Sequence, residues 1–372
     1  MKITDIQAIP LSIPLEETDP ASVEGAWTDN HVLVKVFTDE GITGYGEALA
    51  TAPMTTVAFI EEGLKPRILG ENPMHIEKLW HMMYFHSYGY GTKGISTQGI
   101  SSVEIALWDI IGKYRNIPVY EMIGGLCRDK IKVYASMARY PTPDDLATHA
   151  LRCVEQGFTA IKLHMREDKG DDTIEYVKAA RQAVGPDVTL MVDAHSAWSP
   201  RQAVQKTREL EQYDVYWLEE PIWPVDDYDG LAYVRDRSNI LIAAGESEYT
   251  HYGFKEMISK RAVDLVQPDA IIQGGIMELR KIFALAEAWN LQISTHSYYT
   301  GPGMAATIHL SLSNMRSEFV EIRQLPPREY FIQPSFRPVD GYVTVPDKPG
   351  LGVEINEDVV GKYTMSKGAD YT

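Results

Sequence analysis

Three acidic residues follow short apolar runs at nearly equal intervals near the middle of the chain. Asp193, Glu219 and Glu246 lie in the segments TLMVDAH, VYWLEEP and LIAAGES, at intervals of 26 and 27 residues. Each interval suits one buried parallel strand, one crossover helix and two short loops. Carboxylates at the ends of three successive parallel strands predict one face of a βα barrel, where enzymes of that architecture keep their active sites.

The same three acids predict a metal site. Carboxylate oxygens, completed to an octahedron by water and substrate oxygens, suit Mg²⁺ better than Zn²⁺. Any one of these acids alone could equally be a surface charge or a helix cap. Three acids in phase at equivalent strand ends favour one shared Mg²⁺ per subunit.

Length and composition limit the class of protein. The chain has 372 residues, so a barrel of roughly 250 residues leaves about a hundred for a further domain. The formal net charge of −17 argues against nucleic acid or an anionic membrane surface as a partner. Two cysteines are too few for a disulfide framework or a thiolate metal site. The chain begins without a secretory signal pattern and has no membrane-spanning apolar stretch, so we expect a cytoplasmic protein.

The first 125 residues do not show the alternation of strands and helices that a barrel requires. Their apolar patterns predict antiparallel β segments and then helices, at 2–13, 31–49, 54–83 and 95–115. A turn at 39–41 should divide the second β segment into two strands. Strands followed by helices predict a separate α+β domain over residues 1–125, with a boundary at the glycine pair in 124–130.

From residue 126 onward, apolar β-type runs alternate with helical patterns. Besides the three acid-bearing runs, strands are predicted at 132–137, 159–165, 262–270, 290–297 and 318–322. Helices are predicted between strands at 142–158, 173–185 and 279–289. This alternation assigns residues 126–322 to the barrel. The hairpin-like pattern at 336–355 assigns residues 323–372 to a separate C-terminal segment.

Seven short motifs carry a family resemblance: IALWDIIGK (105–113), KLH (162–164), DAH (193–195), WLEEP (217–221), AAGE (243–246), QPD (267–269) and STHS (294–297). With them the chain resembles the mandelate racemase subgroup of the enolase superfamily over nearly its whole length. The resemblance implies an α/β fold, a modified (β/α)₇β TIM barrel with an N-terminal α+β capping domain that the C-terminal segment completes. It also implies Mg²⁺-assisted removal of the proton α to the carboxylate of a small-molecule substrate, and a homo-oligomer.

Lys162 and His164 lie two residues apart on the second predicted barrel strand. Lys162 can offset the charge of the three acids and contact the substrate carboxylate. The family commonly has Lys-x-Lys here, with the second lysine as the base on one face of the substrate, and His164 occupies that position. Histidine titrates at roughly 6.5, so it can act as a neutral base. The alternative is that His164 binds a substrate hydroxyl.

Asp269 and His296 end consecutive predicted strands, so their side chains should be neighbours at the barrel mouth. A carboxylate on one imidazole nitrogen fixes the tautomer and raises the basicity of the other nitrogen. In the family this dyad works from the face opposite the second-strand base. His195 should reach the same pocket, where it resembles a histidine of some acid-sugar dehydratases that acts as an acid or binds substrate oxygens.

Two further positions are candidates for substrate binding. Glu321 matches the family's acid that binds the substrate carboxylate, and Glu318 is its rival, because alternation does not fix where the strand starts. Trp27, in the polar loop 16–30, is either a specificity residue over the pocket or a packing residue.

Three functions remain open from the sequence. The leading hypothesis is an acid-sugar dehydratase of the aldonate or aldarate type, a hydro-lyase that removes the C2 proton and expels the C3 hydroxyl to give a 2-keto-3-deoxy acid. Three histidines around a metal suit it, because hydroxide departure needs a protonated group. The alternatives are a racemase, epimerase or cycloisomerase with the same first step, and a non-catalytic metal-dependent binder. We expect His164 to be the neutral base and His296 the protonated acid, because Lys162 and the metal disfavour a charged imidazole at His164.

Overall fold

The computed structural model describes residues 1–16, 28–165 and 172–366. Its N-terminal sheet has three antiparallel strands in the order β1–β2–β3, with bounds Ile3–Pro14, Thr28–Thr38 and Thr43–Ala48. The predicted turn joins β2 to β3, where the Gly41 N–H donates to the Thr38 carbonyl at 3.2 Å and Gly41 has φ +78°. Trp27 lies outside the described residues.

Helical segments follow this sheet in the chain. They are α1 Pro53–Ala58, a π-helical turn Phe59–Leu64, α2 Lys65–Ile68, α3 Ile76–Ser87, α4 Ile95–Arg115 and α5 Val119–Met122. Of these, α1 and α4 pack directly on the strands of the sheet. The predicted helix at 54–83 is interrupted, because Gly70 has φ +79° and Pro73 follows before α3 begins. The α4 helix lies close against β3, since a Cβ atom at Gly46 would lie 1.8 Å from the Ser102 carbonyl oxygen.

Eight parallel strands form the closed barrel, because the last strand pairs with both its predecessor and the first. The strands are β4 Ile131–Ser136, β5 Ala160–His164, β6 Thr189–Asp193, β7 Val215–Glu219, β8 Leu241–Ala244, β9 Leu265–Val266, β10 Gln292–Thr295 and β11 Ser317–Arg323. Every predicted barrel strand is present, although β9 and β10 are shorter than the apolar runs 262–270 and 290–297.

Helices connect the successive barrel strands on the outside. They are α6 Pro143–Glu155, α7 Thr173–Val184, α8 Pro200–Leu210 with a 3₁₀ turn at Glu211–Tyr213, α9 Tyr228–Arg235, α10 Thr250–Ser259, α11 Ile276–Ala288 and α12 Pro302–Leu312. Eight strands with seven connecting helices confirm the modified (β/α)₇β barrel over the described residues. None of the described helices combines the length and the apolar character needed to cross a membrane.

A layer of buried side chains fills the barrel interior. It consists of Tyr134, Ala160, Met191, Trp217, Ala243, Leu265 and Phe319. Because strand side chains alternate, the residues two positions further along point into the same interior, nearer the carboxyl ends of the strands. On β5, β6 and β7 those residues are Lys162, Asp193 and Glu219. A packed apolar floor therefore supports the polar side chains at the barrel mouth.

The C-terminal segment contacts both the barrel and the N-terminal sheet. It contains β12 Ile332–Gln333, β13 Tyr342–Val343, β14 Glu354–Ile355 and α13 Glu357–Tyr363. The β12 and β14 strands pair with each other, and β13 pairs with the start of β4. Glu357 forms an ion pair of 2.6 Å with Lys35 of β2. Domain boundaries at residues 125 and 322 stay a prediction.

Buried polar contacts also join the N-terminal helices to the barrel. The Trp80 indole N–H donates to the Gly274 carbonyl at 2.9 Å. The Glu104 carboxylate accepts from the backbone N–H groups of Ile276 and Met277, at 2.7 and 2.9 Å, where α11 begins. These contacts hold the N-terminal domain against the βα loops, beside the end of the barrel that carries the candidate site.

Candidate active site

The carboxylates of Asp193, Glu219 and Glu246 converge at the barrel mouth. Each offers an oxygen within 4.8 Å of the others. Asp193 and Glu219 are the last residues of β6 and β7, whereas Glu246 lies two residues after β8. Gly245 permits that extension, because its φ is +142° and a Cβ atom there would lie 3.0 Å from the Gln267 backbone nitrogen. The third acid therefore comes from a loop and not from a strand end.

The chemistry of these donors fits a hard divalent cation. In Glu219, Oε1 accepts from Lys162 at 2.6 Å, and Oε2 accepts from Gln267 at 2.6 Å and Trp217 at 3.1 Å. A carboxylate has about four acceptor positions, so these three donors leave room for a metal. Burial, with repulsion from the neighbouring acids, raises the pKa of Glu219 and of Glu246 to about 7. A bound cation would remove that cost of ionisation.

A second group of side chains could hold an ion: His164, Asp193 and His195. Both ring nitrogens of His164 already have partners, since Nε2 lies 2.9 Å from Ser136 Oγ and Nδ1 lies 3.1 Å from His195 Nε2. Two imidazole nitrogens would also suit zinc better than magnesium. The three carboxylates are therefore the better candidate for Mg²⁺.

Lys162 is completely buried beside the three acids. Its Nζ lies 2.6 Å from Glu219 Oε1 and 3.1 Å from Glu321 Oε1. Burial opposes the charge, but these two carboxylates hold the pKa of Lys162 well above its usual value. Glu321 also accepts from the Ser297 N–H at 3.0 Å. Lys162 is thus a charged group shared between two carboxylates.

The structure distinguishes Glu321 from Glu318. Glu321 is buried beside Lys162, and its Oε2 lies 3.6 Å from His296 Nε2. Glu318 instead accepts a hydrogen bond of 2.7 Å from the Tyr216 hydroxyl, near the amino-terminal ends of β7 and β11. Of the two candidates, Glu321 is the one that lies among the other site residues.

His164 lies at the Asp193 side of the three acids, with 3.9 Å between Nδ1 and Oδ2. Burial lowers the pKa of His164 to about 3, with Lys162 and His195 acting in the same direction and Asp193 against it. His195 lies nearer the rim, and its Nδ1 is 3.3 Å from Asp193 Oδ2. The pair therefore joins a neutral, half-buried imidazole to a more exposed one.

Backbone strain is concentrated at this end of the site. His195, Ser196 and Glu220 have φ values of +46°, +55° and +37°, in the region that residues other than glycine rarely adopt. His195 and Ser196 are the second and third residues after β6, and Glu220 is the first residue after β7. Such strain clusters at active sites, where surrounding contacts hold it in place. Glu220, for example, accepts from both the backbone N–H and the hydroxyl of Ser247, at 3.2 and 2.9 Å.

His296 lies at the Glu246 side of the three acids. Its Nδ1 is 2.6 Å from Asp269 Oδ2, and its Nε2 is 3.1 Å from Glu246 Oε2. The Tyr299 hydroxyl donates to the other Asp269 oxygen at 3.0 Å. Burial opposes protonation, but Glu246, Glu321 and Asp269 hold the pKa of His296 well above its usual value. A divalent cation bound to Glu246 would weaken the effect of Glu246 on the pKa of His296.

The predicted residues are therefore brought together, with Trp27 outside the described residues. A carboxylate cluster has one histidine at each side, an arrangement that can hold a metal-bound carboxylic acid between two proton-transfer groups. Three further contacts in the site were not predicted from the sequence. Ser136 contacts His164, Gln267 contacts Glu219, and Tyr299 contacts Asp269. Only Gln267 had a signal, as the first residue of the QPD motif.

Comparisons with known proteins agree with this architecture. Residues 145–359 match the family described as enolase C-terminal domain-like, and residues 12–124 match the mandelate racemase / muconate lactonizing enzyme N-terminal domain. The chain is 34% identical to the arabinonate dehydratase of Saccharolobus solfataricus, over 89% of this chain and 90% of that protein. It is 31% identical to the D-galactarolactone cycloisomerase of Agrobacterium fabrum, over 90% of this chain and 91% of that protein.

Solved structures of similar proteins share this fold over nearly the whole chain. The 3,6-anhydro-D-galactonate cycloisomerase from Zobellia galactanivorans superposes with a TM-score of 0.88 at 31% identity, covering 98% of this chain and 100% of that one. A racemase from Streptomyces coelicolor, solved with bound magnesium, superposes with a TM-score of 0.87 at 29% identity, covering 98% and 100%. The chain belongs to the mandelate racemase / muconate lactonizing enzyme family of the enolase superfamily.

Proposed function

We propose that the protein is an Mg²⁺-dependent acid-sugar dehydratase. It would remove the proton α to the substrate carboxylate and eliminate the β-hydroxyl, giving a 2-keto-3-deoxy acid. The observation that carries the proposal is the cluster of three carboxylates with His164 at its Asp193 side and the His296–Asp269 dyad at its Glu246 side. Relatives named arabinonate, D-xylonate and L-rhamnonate dehydratase support the same reaction.

One Mg²⁺ per subunit would be held by Asp193, Glu219 and Glu246. When bound, it would stabilise the negative charge that develops on the substrate carboxylate as the α-proton leaves. Lys162 keeps a positive charge within the same buried cluster, between Glu219 and Glu321. Lys162 and Glu321 would therefore orient the substrate carboxylate.

The histidines would divide the proton transfers. His164 is the base for the C2 proton, because it is a neutral imidazole beside Lys162, and one of its contacts with Ser136 and His195 must open for it to react. His296 is the acid that protonates the departing hydroxyl, because the Asp269 carboxylate at Nδ1 stabilises an imidazolium. His195, at the rim, would bind a substrate hydroxyl or serve as a second proton donor.

A second candidate, a racemase, epimerase or cycloisomerase, uses the same enolisation. Histidines on both sides of the carboxylate cluster would also serve a 1,1-proton transfer, and two of the relatives are named cycloisomerases. This fold supports both reactions, so only the reaction that the protein catalyses can distinguish the two candidates.

The deciding experiment is incubation of the protein with a panel of acid sugars and Mg²⁺ in D₂O, followed by NMR. Formation of a keto acid supports the dehydratase. Deuterium exchange at C2 or isomerisation without elimination supports the second candidate, and the absence of both would leave a non-catalytic metal-dependent binder. Protein treated with a chelator, and the Glu219→Gln variant, serve as controls that should lose both signals.

We also propose a setting for the enzyme. The net charge of −17 is unfavourable for binding nucleic acid or an anionic membrane, so the partners would be the small-molecule carboxylate and further copies of the chain in a homo-oligomer. Cys127 and Cys153 are both free thiols, which suits a reducing, cytoplasmic compartment. Size-exclusion chromatography with light scattering would test the oligomer.

A further inference from the structure

Arg323 is a buried cation at the end of β11 with one unused donor. Its guanidinium forms an ion pair of 2.6 Å with Asp29 and lies 4.7 Å from the centre of the Tyr298 ring. Its Nε is buried and has no hydrogen-bond partner among the described residues. A cavity of about 310 Å³ adjoins Arg323 and is also lined by Tyr299 and Thr300. A buried N–H without an acceptor is costly, so this donor is suited to an acceptor on a ligand.

Arg323 lies near the mouth of the active site, because it contacts Tyr298. The Tyr298 ring lies 6.1 Å from the His164 ring, centre to centre, and is partly exposed. Arg323 also pairs across the barrel closure with Ser136, the residue that contacts His164. A substrate held at the carboxylate cluster and reacting beside His164 would therefore extend its remaining carbons toward Tyr298 and Arg323.

The charge of Arg323 is already balanced. Asp29 contacts both Arg323 and His31, at 2.6 and 2.9 Å, and His31 contacts Glu47 at 2.5 Å. Burial opposes protonation of His31, but the two carboxylates raise its pKa to about 10. The cluster thus contains two anions and two cations. It offers hydrogen-bond donors to a ligand without offering a net positive charge.

A further buried cation of the site, Lys162, is also matched by negative charge. Lys162 is shared between Glu219 and Glu321, so its charge is also matched by acids. A substrate with a second carboxylate at its far end would meet Arg323 already paired with Asp29, and burying an unmatched anion is strongly unfavourable. A hydroxyl oxygen at that end would accept a hydrogen bond at no such cost.

We propose that Tyr298 and Arg323, with the arginine charge neutralised by Asp29, form a subsite without net charge for the hydroxyl groups beyond the β-carbon, so that the substrate is a polyhydroxy monocarboxylic acid and not a diacid. This inference rests on the proposed function, because it assumes that the acid group binds at the carboxylate cluster. Asp29, His31 and Glu47 are positioning residues, which hold Arg323 against Tyr298.

The test compares three acids: a five- or six-carbon aldonate, the matching aldarate, and glycerate, which has no hydroxyl beyond the β-carbon. The wild-type protein should have a kcat/KM for the aldonate at least about tenfold above that for the aldarate. Tyr298→Phe, which keeps the ring but removes the hydroxyl, should lower kcat/KM for the aldonate roughly tenfold, the effect of one lost hydrogen bond. Its kcat/KM for glycerate should not change.

Arg323→Lys should behave like Tyr298→Phe, and its melting temperature must be measured because the site is buried. The matched control is Arg235→Lys, an arginine that pairs with Asp264 at 2.7 Å just before β9 begins, which should leave kcat/KM for all three acids unchanged. Calorimetric binding of the aldonate and the aldarate gives the same comparison independently of turnover.

Preference of the wild type for the aldarate would overturn the inference while leaving the dehydratase intact. Equal losses for the aldonate and glycerate in Tyr298→Phe would also overturn it, because they would show a part in the chemistry itself. Loss of the proposed function has a different signature: no exchange, no elimination and no tight binding with any acid.

Discussion

The imidazole of His296 lies 2.6 Å from the carboxylate of Asp269, measured from Nδ1 to Oδ2. The contact joins the loops that follow two neighbouring barrel strands, β9 and β10, and further hydrogen bonds hold Asp269 in place. The Asp269 carboxylate accepts from the Ile271 N–H at 2.7 Å and from the Tyr299 hydroxyl at 3.0 Å. A carboxylate fixed in this way keeps the other ring nitrogen directed at Glu246 and sets the protonation state of the ring.

Replacement of Asp269 by Asn tests that contact. The amide can still hold the ring, but it cannot stabilise an imidazolium, so kcat should fall by roughly 10²–10⁴. Steady-state kinetics of keto-acid formation measure the loss. Tyr299→Phe is the matched control, because it removes one donor from Asp269 and leaves the His296 contact, and it should cost less than Asp269→Asn. A wild-type rate in Asp269→Asn would exclude the dyad from the mechanism.

Replacement of Glu219 by Gln tests the metal site. Glu219 is one of three anionic candidate ligands, and it also carries the 2.6 Å ion pair with Lys162. We expect activity to be lost and Mg²⁺ affinity, measured by calorimetry, to fall at least about tenfold, since one charge of the cluster disappears. Glu318→Gln, which changes a carboxylate bonded to Tyr216 elsewhere on the barrel, should retain both. Unchanged Mg²⁺ affinity in Glu219→Gln would remove Glu219 from the set of ligands.

The barrel could be predicted from the sequence because its signal is local. Apolar runs such as TLMVD and VYWLE are strands in the structure, and the acids at their ends are Asp193 and Glu219. Glu246 differs, because β8 stops at Ala244 and the chain turns through Gly245 with φ +142°. The apolar run does not reveal that turn, since nothing in LIAAGES distinguishes a strand end from the loop that follows it.

The contacts around the site could not be predicted, because they join residues that are far apart in the chain. Asp29 and Arg323 are 294 positions apart, and neither belongs to a motif. Ser136 and His164 meet because β4 and β5 are paired, 28 positions apart. Alternation left Glu318 and Glu321 equivalent until the start of β11 was known. Packing between distant segments, and not local pattern, decides which polar residues complete the site.

Two histidine variants test the division of proton transfers. His164→Ala should lose both exchange at C2 and elimination, because the base is gone. His296→Asn should lose elimination but retain exchange, because only the acid is missing. Each defect should be roughly 10²–10⁴-fold, measured by NMR in D₂O and by keto-acid formation. His86→Ala, an exposed histidine on α3, is the control. Exchange that survives in His164→Ala and disappears in His296→Asn would reverse the two roles and the stereochemistry at C2.

The stability of the fold should depend on pH through His31, the buried histidine between the N-terminal domain and the barrel. His31 lies between Asp29 and Glu47, whose carboxylates raise its pKa to about 10 despite burial. An unfolded histidine titrates at roughly 6.5. Below that pH, both states carry the proton and the stabilisation is complete. As the pH rises from about 6.5 to about 10, the unfolded chain loses its proton while the folded protein retains it, so the stabilisation decreases and is lost above the folded pKa.

We expect the wild type to melt several degrees above His31→Gln near pH 6, with a difference that shrinks steadily toward pH 10. His309, whose pKa burial lowers to about 4, contributes its pH dependence below this window and will not obscure the result. His86→Gln, at the exposed position on α3, should track the wild type throughout. A constant difference between wild type and His31→Gln from pH 6 to 10, measured by thermal denaturation, would show that His31 is not held as a cation in the folded protein.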